Sequence, residues 1–317
     1  MAGTLDAVVS QMAALGMPDI SPHELQLNTG RWVRYGPRRK AYYRIDERVS
    51  RAGRAYYVGA FGYKGNGPHL VEYQGEQLAP EEVRRLEETR RAAAERDARL
   101  RAREIQLAAD RAAETWRAAL PSGSSPYLQR KGVEIPGGWV RFLGPNLVVP
   151  MVRYDLPDGE RLKGVQIIRP DGEKRFTAGM EKKGCAAYLG LHAERDPILV
   201  CEGLATAASV WMAMSKVYRV VVAFDAGNLG PVVDIVRKLH PKAPLLICAD
   251  DDHLTEGNPG RVKAVAAARS AQAGVTFPLF RQRGTAKLTD FNDLHQAEGL
   301  GEVTEQIVCA LQWLHKV

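Results

Sequence analysis

Short apolar runs of similar length recur through the last third of the chain, each followed by a longer segment of mixed polarity. The runs are PILVC, RVVVAF, LLICA and VTFPLF. Uninterrupted apolar strands that alternate with helix-length segments are typical of a parallel sheet with helices on both faces. We therefore predict an α/β domain of this kind over residues 196–300.

The rest of the chain divides by its pattern into four further segments. Residues 121–195 carry short apolar runs separated by Pro-Asp-Gly turns, which predicts a strand-rich, basic subdomain. Residues 79–120 are rich in Glu, Arg and Ala, and their apolar positions are too sparse for a coiled coil, so we predict a long charged connecting helix. A small basic αβ domain over residues 1–78 and a C-terminal helix over residues 301–317 complete the predicted order.

The segment from residue 31 to residue 64 concentrates positive charge and aromatic side chains. It holds ten Lys and Arg residues against two acidic ones, a net charge of +8, and its aromatic groups predict three short antiparallel strands. Basic side chains can follow phosphates while aromatic faces stack on unpaired bases, which favours nucleic-acid binding. The alternative is that half of the aromatic residues form a core and the arginines are its solvated face. The candidate contact residues are Arg31, Trp32, Arg34, Tyr35, Arg38, Arg39, Lys40 and Tyr43.

Composition narrows the class of protein without choosing a function. The chain has 317 residues, 45% of them hydrophobic and 26% charged, and its net charge of +7 permits a polyanionic partner. No apolar run is long enough to span a membrane and the N-terminus lacks the pattern of a secretory signal, so we expect a cytoplasmic protein with no membrane partner. The four cysteines are far apart, so we expect buried thiols and no zinc site.

Acidic residues stand at the carboxyl ends of three predicted parallel strands. They are Glu202, Asp225 and the run Asp250, Asp251 and Asp252. Ligands of such sheets bind outside these strand ends, and in an extended chain the first and third residues of the run point to the same side. Carboxylates clustered without His or Cys favour Mg²⁺ or Mn²⁺ over zinc. Burial of several carboxylates without a cation would raise their pKa values, so the cluster predicts a metal site.

Some of the acidic positions also have a purely structural explanation. Asp225 opens an Asp-Ala-Gly-Asn sequence that is ordinary turn chemistry, and the TDFNDL segment after the fourth strand offers Asp290 and Asp293, one of which could simply cap the last helix. Solvated loop carboxylates or helix caps are the alternative for the whole cluster. Glu202 together with the Asp-x-Asp pair is harder to explain in that way.

These motifs resemble the Toprim domain shared by bacterial-type primases, topoisomerases and some nucleases. The resemblance rests on CEG after an apolar strand and on ADDD followed by a Gly-Arg helix start, and CEGLATA is similar to the EGYATA motif of plasmid- and phage-encoded primases. FDAGNL, TDFNDL, SPYLQRKGV and DGEKRFTAG are also similar to segments of primase-like proteins on mobile elements. The resemblance covers roughly residues 20–300. It implies a Toprim-type parallel sheet flanked by helices, preceded by the strand-rich α+β subdomain, the long helix and the small basic domain.

The resemblance implies that the protein synthesises short RNA primers on single-stranded DNA from nucleoside triphosphates, with Mg²⁺ or Mn²⁺. Glu202 matches the glutamate proposed in the family as general base or metal ligand, and Asp250 and Asp252 match the metal-binding pair. Lysines and arginines must then hold the triphosphate. The candidates are Lys163, Lys174, Arg175, Lys182, Lys183 and Arg261.

The sequence departs from the family pattern at two positions of the glutamate motif. Leu204 replaces the usual tyrosine, and Thr206 stands where cellular bacterial primases carry another acid. Asp225 or Asp293 is therefore the candidate that completes a second metal site. The Cys/His zinc-binding module of the cellular enzymes is also missing, so we expect the basic aromatic sheet to recognise the template.

Two other functions fit the same motifs. A Toprim nuclease would use similar carboxylates to activate water, and a single-stranded-DNA-binding accessory protein would keep the fold without productive metal binding. The basic middle segment favours nucleotide binding and hence a primase, and the intact carboxylates argue against an accessory protein. The sequence has no GxxxxGK[ST] phosphate loop, so a replicative helicase would be a separate partner. We predict a primase that serves replication or transfer of a mobile element.

Overall fold

A computed structural model describes residues 3–49, 53–72, 80–283 and 287–314 of the chain. The chain forms two compact units, Met1–Asp97 and Ala98–Val317. The division lies inside the long helix, not at the predicted boundary before residue 79. Each half of the helix therefore makes its contacts within a different unit.

The first unit is a helix on a small antiparallel sheet. Helix α1 spans Leu5–Ala14, and strands β1 (Val33–Tyr35), β2 (Ala41–Val49), β3 (Ala55–Tyr63) and β4 (His69–Leu70) pair in sequence order. The three predicted strands are present. A fourth, very short strand extends the sheet at its edge.

Strand β2 shows how the sequence divides the two faces of this sheet. Ala41, Tyr43 and Ile45 are buried and alternate with partly exposed residues, as expected for a strand with one face on a core. Met12 of α1 packs on the same core, beside Phe61 of β3. The opposite face of the sheet carries the residues that alternate with these.

The long helix α2 spans Pro80–Ala118, close to the predicted 79–120. Its second half does more than connect segments, because Ala112 is fully buried against Val148 and Val165 of the second unit. Small side chains at the contact let the helix approach that sheet closely. The charged connecting helix thus also packs on the second unit's antiparallel sheet through a stripe of small residues.

The strand-rich segment begins with the short helix α3 (Pro126–Arg130) and continues as an antiparallel sheet. Its strands are β5 (Arg141–Leu143), β6 (Asn146–Val152), β7 (Leu162–Ile168) and β8 (Lys174–Phe176), which pair in sequence order. This meander has the strands that the apolar runs predicted. It ends in the basic strand β8, whose three residues are exposed.

A five-stranded sheet forms the centre of the second unit. It contains β9 (Ala187–Leu189), β10 (Ile198–Cys201), β11 (Arg219–Val222), β12 (Leu245–Cys248) and β13 (Gly274–Thr276) in the order β13-β12-β10-β11-β9. All neighbours are parallel except β9, which runs antiparallel to β11. Strand β9 comes from the preceding predicted segment and joins this sheet as its antiparallel edge strand.

Helices cover both faces of this sheet, which confirms the predicted α/β architecture. One face carries α4 (Leu204–Ala213), α7 (Phe291–Glu298) and α8 (Leu300–Leu314), and the other carries α5 (Ala226–Leu239) and α6 (Pro259–Ser270). Continuous burial of β10 and β12 follows from this double cover. The C-terminal helix was predicted as a separate segment, yet its apolar stripe is part of the main core; residues 315–317 of that prediction lie outside the described residues.

The structure bears on two features that composition addressed, the state of the cysteines and the presence of membrane-spanning helices. All four cysteines are free, and Cys185, Cys201 and Cys248 are buried as expected, whereas Cys309 is exposed because it lies on the outer side of α8. Within the described ranges, no helix has the length and apolar character needed to cross a bilayer.

Candidate metal and nucleotide site

The register of the parallel strands brings the acidic residues to one edge of the sheet. Cys201 of β10 pairs with Val222 of β11 and with Cys248 of β12, so the three strands end level with one another. Glu202 follows the first of these ends directly, and Asp250 follows the third after one intervening residue. The predicted edge is therefore the place where these carboxylates meet.

Asp250 is the centre of the acidic group. Burial, together with the nearby charges of Asp290, Glu202 and Asp252, raises its pKa well above the ordinary value. Its Oδ1 atom is buried and has no hydrogen-bond partner among the described residues. Four carboxylates thus share one site, and one of their oxygens is placed to accept a ligand that the chain does not supply.

Glu202 has a raised pKa for related reasons. Burial has the largest effect, the charges of Asp252 and Asp225 add to it, and a hydrogen bond from the Ala226 backbone N–H partly opposes it. Lys174 of β8 lowers the pKa of both Glu202 and Asp250. The antiparallel sheet therefore presents a positive side chain to the acidic edge of the parallel sheet.

Asp252 is fixed by the start of α6. Its Oδ2 accepts a hydrogen bond from the Gly260 backbone N–H at 3.1 Å. A Cβ atom at residue 260 would lie only 2.8 Å from that oxygen, so a glycine is needed for this close approach. The Gly-Arg start of the helix thus positions the second carboxylate of the Asp-x-Asp pair.

Asp251 makes contacts unlike those of its neighbours, in agreement with the alternation of an extended chain. It is buried, and it accepts hydrogen bonds of 2.6 Å from both Arg283 Nη1 and Asn258 Nδ2. Burial alone would raise its pKa, but these hydrogen bonds more than compensate and lower it. Asp251 is therefore a structural anchor of the loop that carries Asp250 and Asp252.

Asp225 caps α5 and pairs with a lysine. Its Oδ1 accepts the Asn228 backbone N–H at 3.0 Å, and its Oδ2 forms an ion pair with Lys182 Nζ. The preceding residue, Phe224, is buried and has a φ of 72°, a conformation that is rare for a bulky side chain and costs about 1–3 kcal/mol. Asp225 is therefore the N-cap of α5, in agreement with the structural explanation, and its role as a further metal ligand stays a prediction.

Asp290 and Asp293 form the capping box of α7. Asp290 Oδ1 accepts the Asp293 backbone N–H at 2.8 Å, and Asp293 Oδ2 accepts the backbone N–H groups of Thr289 at 2.8 Å and Asp290 at 3.3 Å. Asp290, not Asp293, is the neighbour whose charge acts on Asp250. The sequence predicts Asp225 or Asp293 as the further ligand, and one acidic residue of the TDFNDL segment as a possible helix cap.

The predicted nucleotide-binding residues fall into three groups. Lys174 and Lys182 lie beside the carboxylates, and Lys182 Nζ is also 5.1 Å from the centroid of the Phe176 ring. Lys163 is half-buried on β7 and Lys183 is exposed, and no described contact brings either to the acidic edge. The first group therefore has the best position to meet a triphosphate.

The third group consists of two arginines with other partners. Arg175 donates a hydrogen bond of 2.8 Å to Glu173. Arg261 lies 3.7 Å from Asp251 and stacks over Phe277 at 4.2 Å. The prediction did not include Lys263, which follows Arg261 by two residues. A Cβ atom on Gly227 would lie 3.9 Å from Lys263 Nζ and 3.1 Å from Asp225 Oδ1, so this lysine also lies near Asp225.

The aromatic residues of the first unit divide between core and surface. Tyr43 is only 1% exposed and its hydroxyl accepts the Gln26 backbone N–H, so the prediction that it contacts nucleic acid is wrong. Tyr35 is half-buried and its hydroxyl donates to the Pro18 carbonyl. Trp32 is 38% exposed. The predicted basic residues of this segment are all exposed, namely Arg31, Arg34, Arg38, Arg39 and Lys40.

The donor atoms at the acidic edge fit a hard divalent cation. They are carboxylate oxygens, the ligands that Mg²⁺ and related ions prefer, and one of them is a buried oxygen without a partner. In the described part of the chain, no three Asp, Glu, His or Cys side chains are already arranged around a single ion position. Binding would therefore require these carboxylates to rotate toward the ion.

Comparison with known proteins agrees with this description. A Toprim domain model matches residues 197–301, and Toprim domains generally bind a divalent metal. Two Escherichia coli proteins named DNA primase TraC are similar to the chain: one is 31% identical over 253 residues, 74% of this chain, and the other is 36% identical over 164 residues, 49% of this chain. These alignments cover 23% and 11% of the relatives, so the chain spans less than a quarter of either. The resemblance to Toprim primases is confirmed.

Two solved structures overlap with parts of the chain. The primase fragment of the bacteriophage T7 primase-helicase protein covers 57% of this chain and 69% of its own at 17% identity, with a TM-score of 0.39. The DnaG primase catalytic domain bound to single-stranded DNA covers 66% and 74% at 14% identity, with a TM-score of 0.36.

Proposed function

We propose that the protein is a DNA primase that synthesises short RNA primers on single-stranded DNA by metal-dependent nucleotidyl transfer. The observation that carries the proposal is the meeting of Glu202, Asp250 and Asp252 at one sheet edge, within the Toprim match of a chain that is similar to DNA primases. The element served would be a mobile one, since the sequence motifs resemble primases of plasmids and phages.

The carboxylates have two tasks in this reaction. Asp250 and Asp252 would hold Mg²⁺ or Mn²⁺ rather than zinc, because the donor set is entirely oxygen. A bound divalent ion would lower the pKa of the attacking 3′-hydroxyl and neutralise charge on the phosphate. Glu202, whose pKa is raised by burial above its ordinary value, would accept the proton of that hydroxyl or act as a further ligand.

The basic residues near this edge would orient the incoming nucleotide. Lys174 already faces Glu202 and Asp250, and Lys182 is held over the same edge by Asp225. In this proposal, the triphosphate takes the place of the carboxylates as partner of these lysines. Asp290 or Asp225 would complete a second metal site, with Asp293 positioning Asp290 through the capping box.

The remaining partners follow from the reaction. The template would be single-stranded DNA and the substrates nucleoside triphosphates, and a replicative helicase is the further partner that we propose. We also propose a cytoplasmic location and no membrane partner, in keeping with the place where such templates and nucleotides occur.

The test is a synthesis assay that also reports cleavage. Full-length protein is incubated with single-stranded DNA, labelled ribonucleoside triphosphates and Mg²⁺ or Mn²⁺, and the products are separated on a sequencing gel. We expect new labelled oligonucleotides with the native protein and none with Glu202→Gln or Asp250→Asn. Asp234→Asn, which changes an exposed aspartate of α5, is the matched control and should retain full activity.

Two outcomes would contradict the primase proposal. Metal-dependent cutting of the DNA that requires Asp250, without new oligonucleotides, would identify a nuclease. Binding of DNA with neither synthesis nor cleavage, on several template sequences and with a helicase supplied, would identify an accessory protein.

A further inference from the structure

A groove lies on the face of the first unit's sheet that is turned away from its core. Its cavity measures about 860 Å³, and the early turns of α2 form the opposite wall. Val58 and Ala60 of β3 line it from the sheet, and Ala93 lines it from the helix. This volume is within the range of sites for small organic groups, roughly 300–1,000 Å³. The groove is separate from the Toprim site, since its lining residues belong to the first unit alone.

Trp32 provides an exposed aromatic wall that is held in place. Its ring meets the Tyr42 ring edge to face, with centroids 5.2 Å apart, and the Arg44 guanidinium lies 5.3 Å from its centroid. Tyr42 is itself fixed, because its hydroxyl donates to the Asn66 carbonyl and its ring lies over Gly62, where a Cβ would come within 2.6 Å of it. The tryptophan is therefore oriented before any ligand arrives, which reduces the entropy lost on binding.

The polar groups of the groove are paired charges of both signs. Arg44 Nη1 lies 2.9 Å from Asp97 Oδ2, and Arg48 Nη2 lies 3.8 Å from Asp46 Oδ2. Neutralised arginines make a weak site for phosphate. Guanidinium donors beside carboxylate acceptors instead match the mixed hydrogen-bonding edge of a nucleobase, where Arg recognises acceptors and Asp accepts from amino groups.

Exposed positive charge surrounds the groove. Arg31 and Arg34 are exposed near its aromatic end, and the Arg34 guanidinium lies 5.8 Å from the centroid of Tyr42. Arg96 of α2 is exposed at the opposite wall. This arrangement, an aromatic slot with positive charge at its rim, is the one by which proteins hold bases and backbone of single strands.

We propose that this groove binds an unpaired base of single-stranded DNA, with Trp32 stacked on the base, the Arg44–Asp97 and Arg48–Asp46 pairs at its edge, and the rim arginines on the flanking phosphates. This inference rests on the proposed function in one respect only, namely that the bound single strand is the template of primer synthesis. It replaces Tyr35 and Tyr43 of the sequence prediction with Tyr42 and Arg44, which lie on the opposite face of the sheet.

The test measures DNA affinity without any contribution from catalysis. Fluorescence anisotropy of labelled single-stranded oligonucleotides is followed with the full-length protein in EDTA and without nucleotides. We expect Trp32→Ala to weaken binding roughly tenfold, the effect typical of losing one stacked base, and Trp32→Phe to retain most of the affinity. Trp313→Ala, which removes another exposed tryptophan in the second unit, is the control and should bind like the native protein.

A second pair of variants tests recognition of the base edge. Asp97→Asn and Asp46→Asn should change the ranking of oligo-dA, dC, dG and dT more than the mean affinity. Native affinity in Trp32→Ala, an equal loss in Trp313→Ala, or competition by duplex DNA as strong as by single strands would overturn the inference.

The result is independent of whether primers are made. Asp234→Asn should bind single strands as the native protein does, because this exposed aspartate of α5 lies outside the groove. Trp32-dependent binding without primer synthesis would contradict the proposed function but support base binding in the groove. Primer synthesis together with Trp32-independent binding would support the proposed function but contradict base binding in the groove.

Discussion

Asp250 combines three properties that are rarely found together in a purely structural residue. It is largely enclosed, it lies among other carboxylates, and one of its oxygens has no hydrogen-bond partner among the described residues. Ionising such a group in the folded state is unfavourable unless a cation is present. The metal-free protein should therefore be less stable than the metal-bound one, and the difference should depend on pH.

The pH dependence has a definite sign. The pKa values of Asp250, Glu202 and Asp290 are raised in the folded state, so the folded protein binds more protons than the unfolded chain at intermediate pH. Their stabilising contribution is fully present below the ordinary carboxyl pKa of about 4 and is lost as the pH rises through the raised values. We expect the free energy of unfolding in EDTA to fall over this window.

Asp250→Asn should restore part of the free energy of unfolding that is lost as the pH rises in EDTA. The amide keeps the shape without the charge, so we expect the metal-free variant to be more stable at neutral pH by roughly 1–3 kcal/mol. Added Mg²⁺ should stabilise the native protein, by about 2.7 kcal/mol at one hundred times the dissociation constant, and should leave the variant unchanged. Thermal unfolding with and without EDTA measures both effects. A variant that is no more stable than Asp234→Asn, or that responds fully to Mg²⁺, would contradict this reading.

Individual residues of the site were predictable to different degrees. Glu202, Asp250 and Asp252 could be selected because parallel strands end at one edge, a rule that needs only the apolar runs. Asp290 was named together with Asp293 but was not chosen as a further ligand, because only the tertiary fold shows that its charge acts on Asp250. Tyr43 was misplaced because the strand offers aromatic residues on both faces, and one face had to be the core.

At the scale of elements, the start of α6 is the support of the Asp-x-Asp pair. Gly260→Ala would bring a Cβ to within 2.8 Å of Asp252 Oδ2 and 3.1 Å of the Asp250 carbonyl oxygen, so the carboxylate must move. We expect metal affinity, measured by calorimetry, to fall roughly 10- to 100-fold, as is typical when the support of a ligand is lost. Primer yield should fall with it.

The matched control for this helix start is Gly301→Ala. Gly301 lies in the first turn of α8, and apart from its chain neighbours no described atom is within 4 Å of the position of its Cβ. An alanine should leave metal affinity unchanged and stabilise the helix by up to about 1 kcal/mol. Native metal affinity in Gly260→Ala, or the same loss in both variants, would show that the glycine does not position Asp252.

Elements were predicted well where their own pattern determines them and poorly where a distant partner does. The long helix and the strands β10, β11 and β12 follow from local composition and continuous burial. Strand β9 has only three residues, and its place at the edge of the sheet depends on pairing with β11. Sequence order assigned it to the preceding subdomain for that reason.

At the scale of the whole molecule, each hydrophobic core lies entirely on one side of the division inside α2. One core lies between Val8 and Val71, and the others lie between Ala112 and Leu311. A fragment of residues 98–317 should therefore fold cooperatively and bind divalent metal, but lose the Trp32-dependent affinity for single-stranded DNA. Circular dichroism melting and the anisotropy assay test this. A fragment that melts without cooperativity would show that the second unit depends on the first.

The claim on which the account depends is that the acidic edge of the Toprim sheet binds a divalent ion. Titration of the full-length protein with Mn²⁺, followed by the electron paramagnetic resonance signal of the free ion, measures this directly. The account predicts saturable binding by the native protein and by Asp234→Asn, and a loss of at least roughly tenfold in affinity in Asp250→Asn. Equal binding by all three proteins, or no saturable binding by the native one, would contradict it.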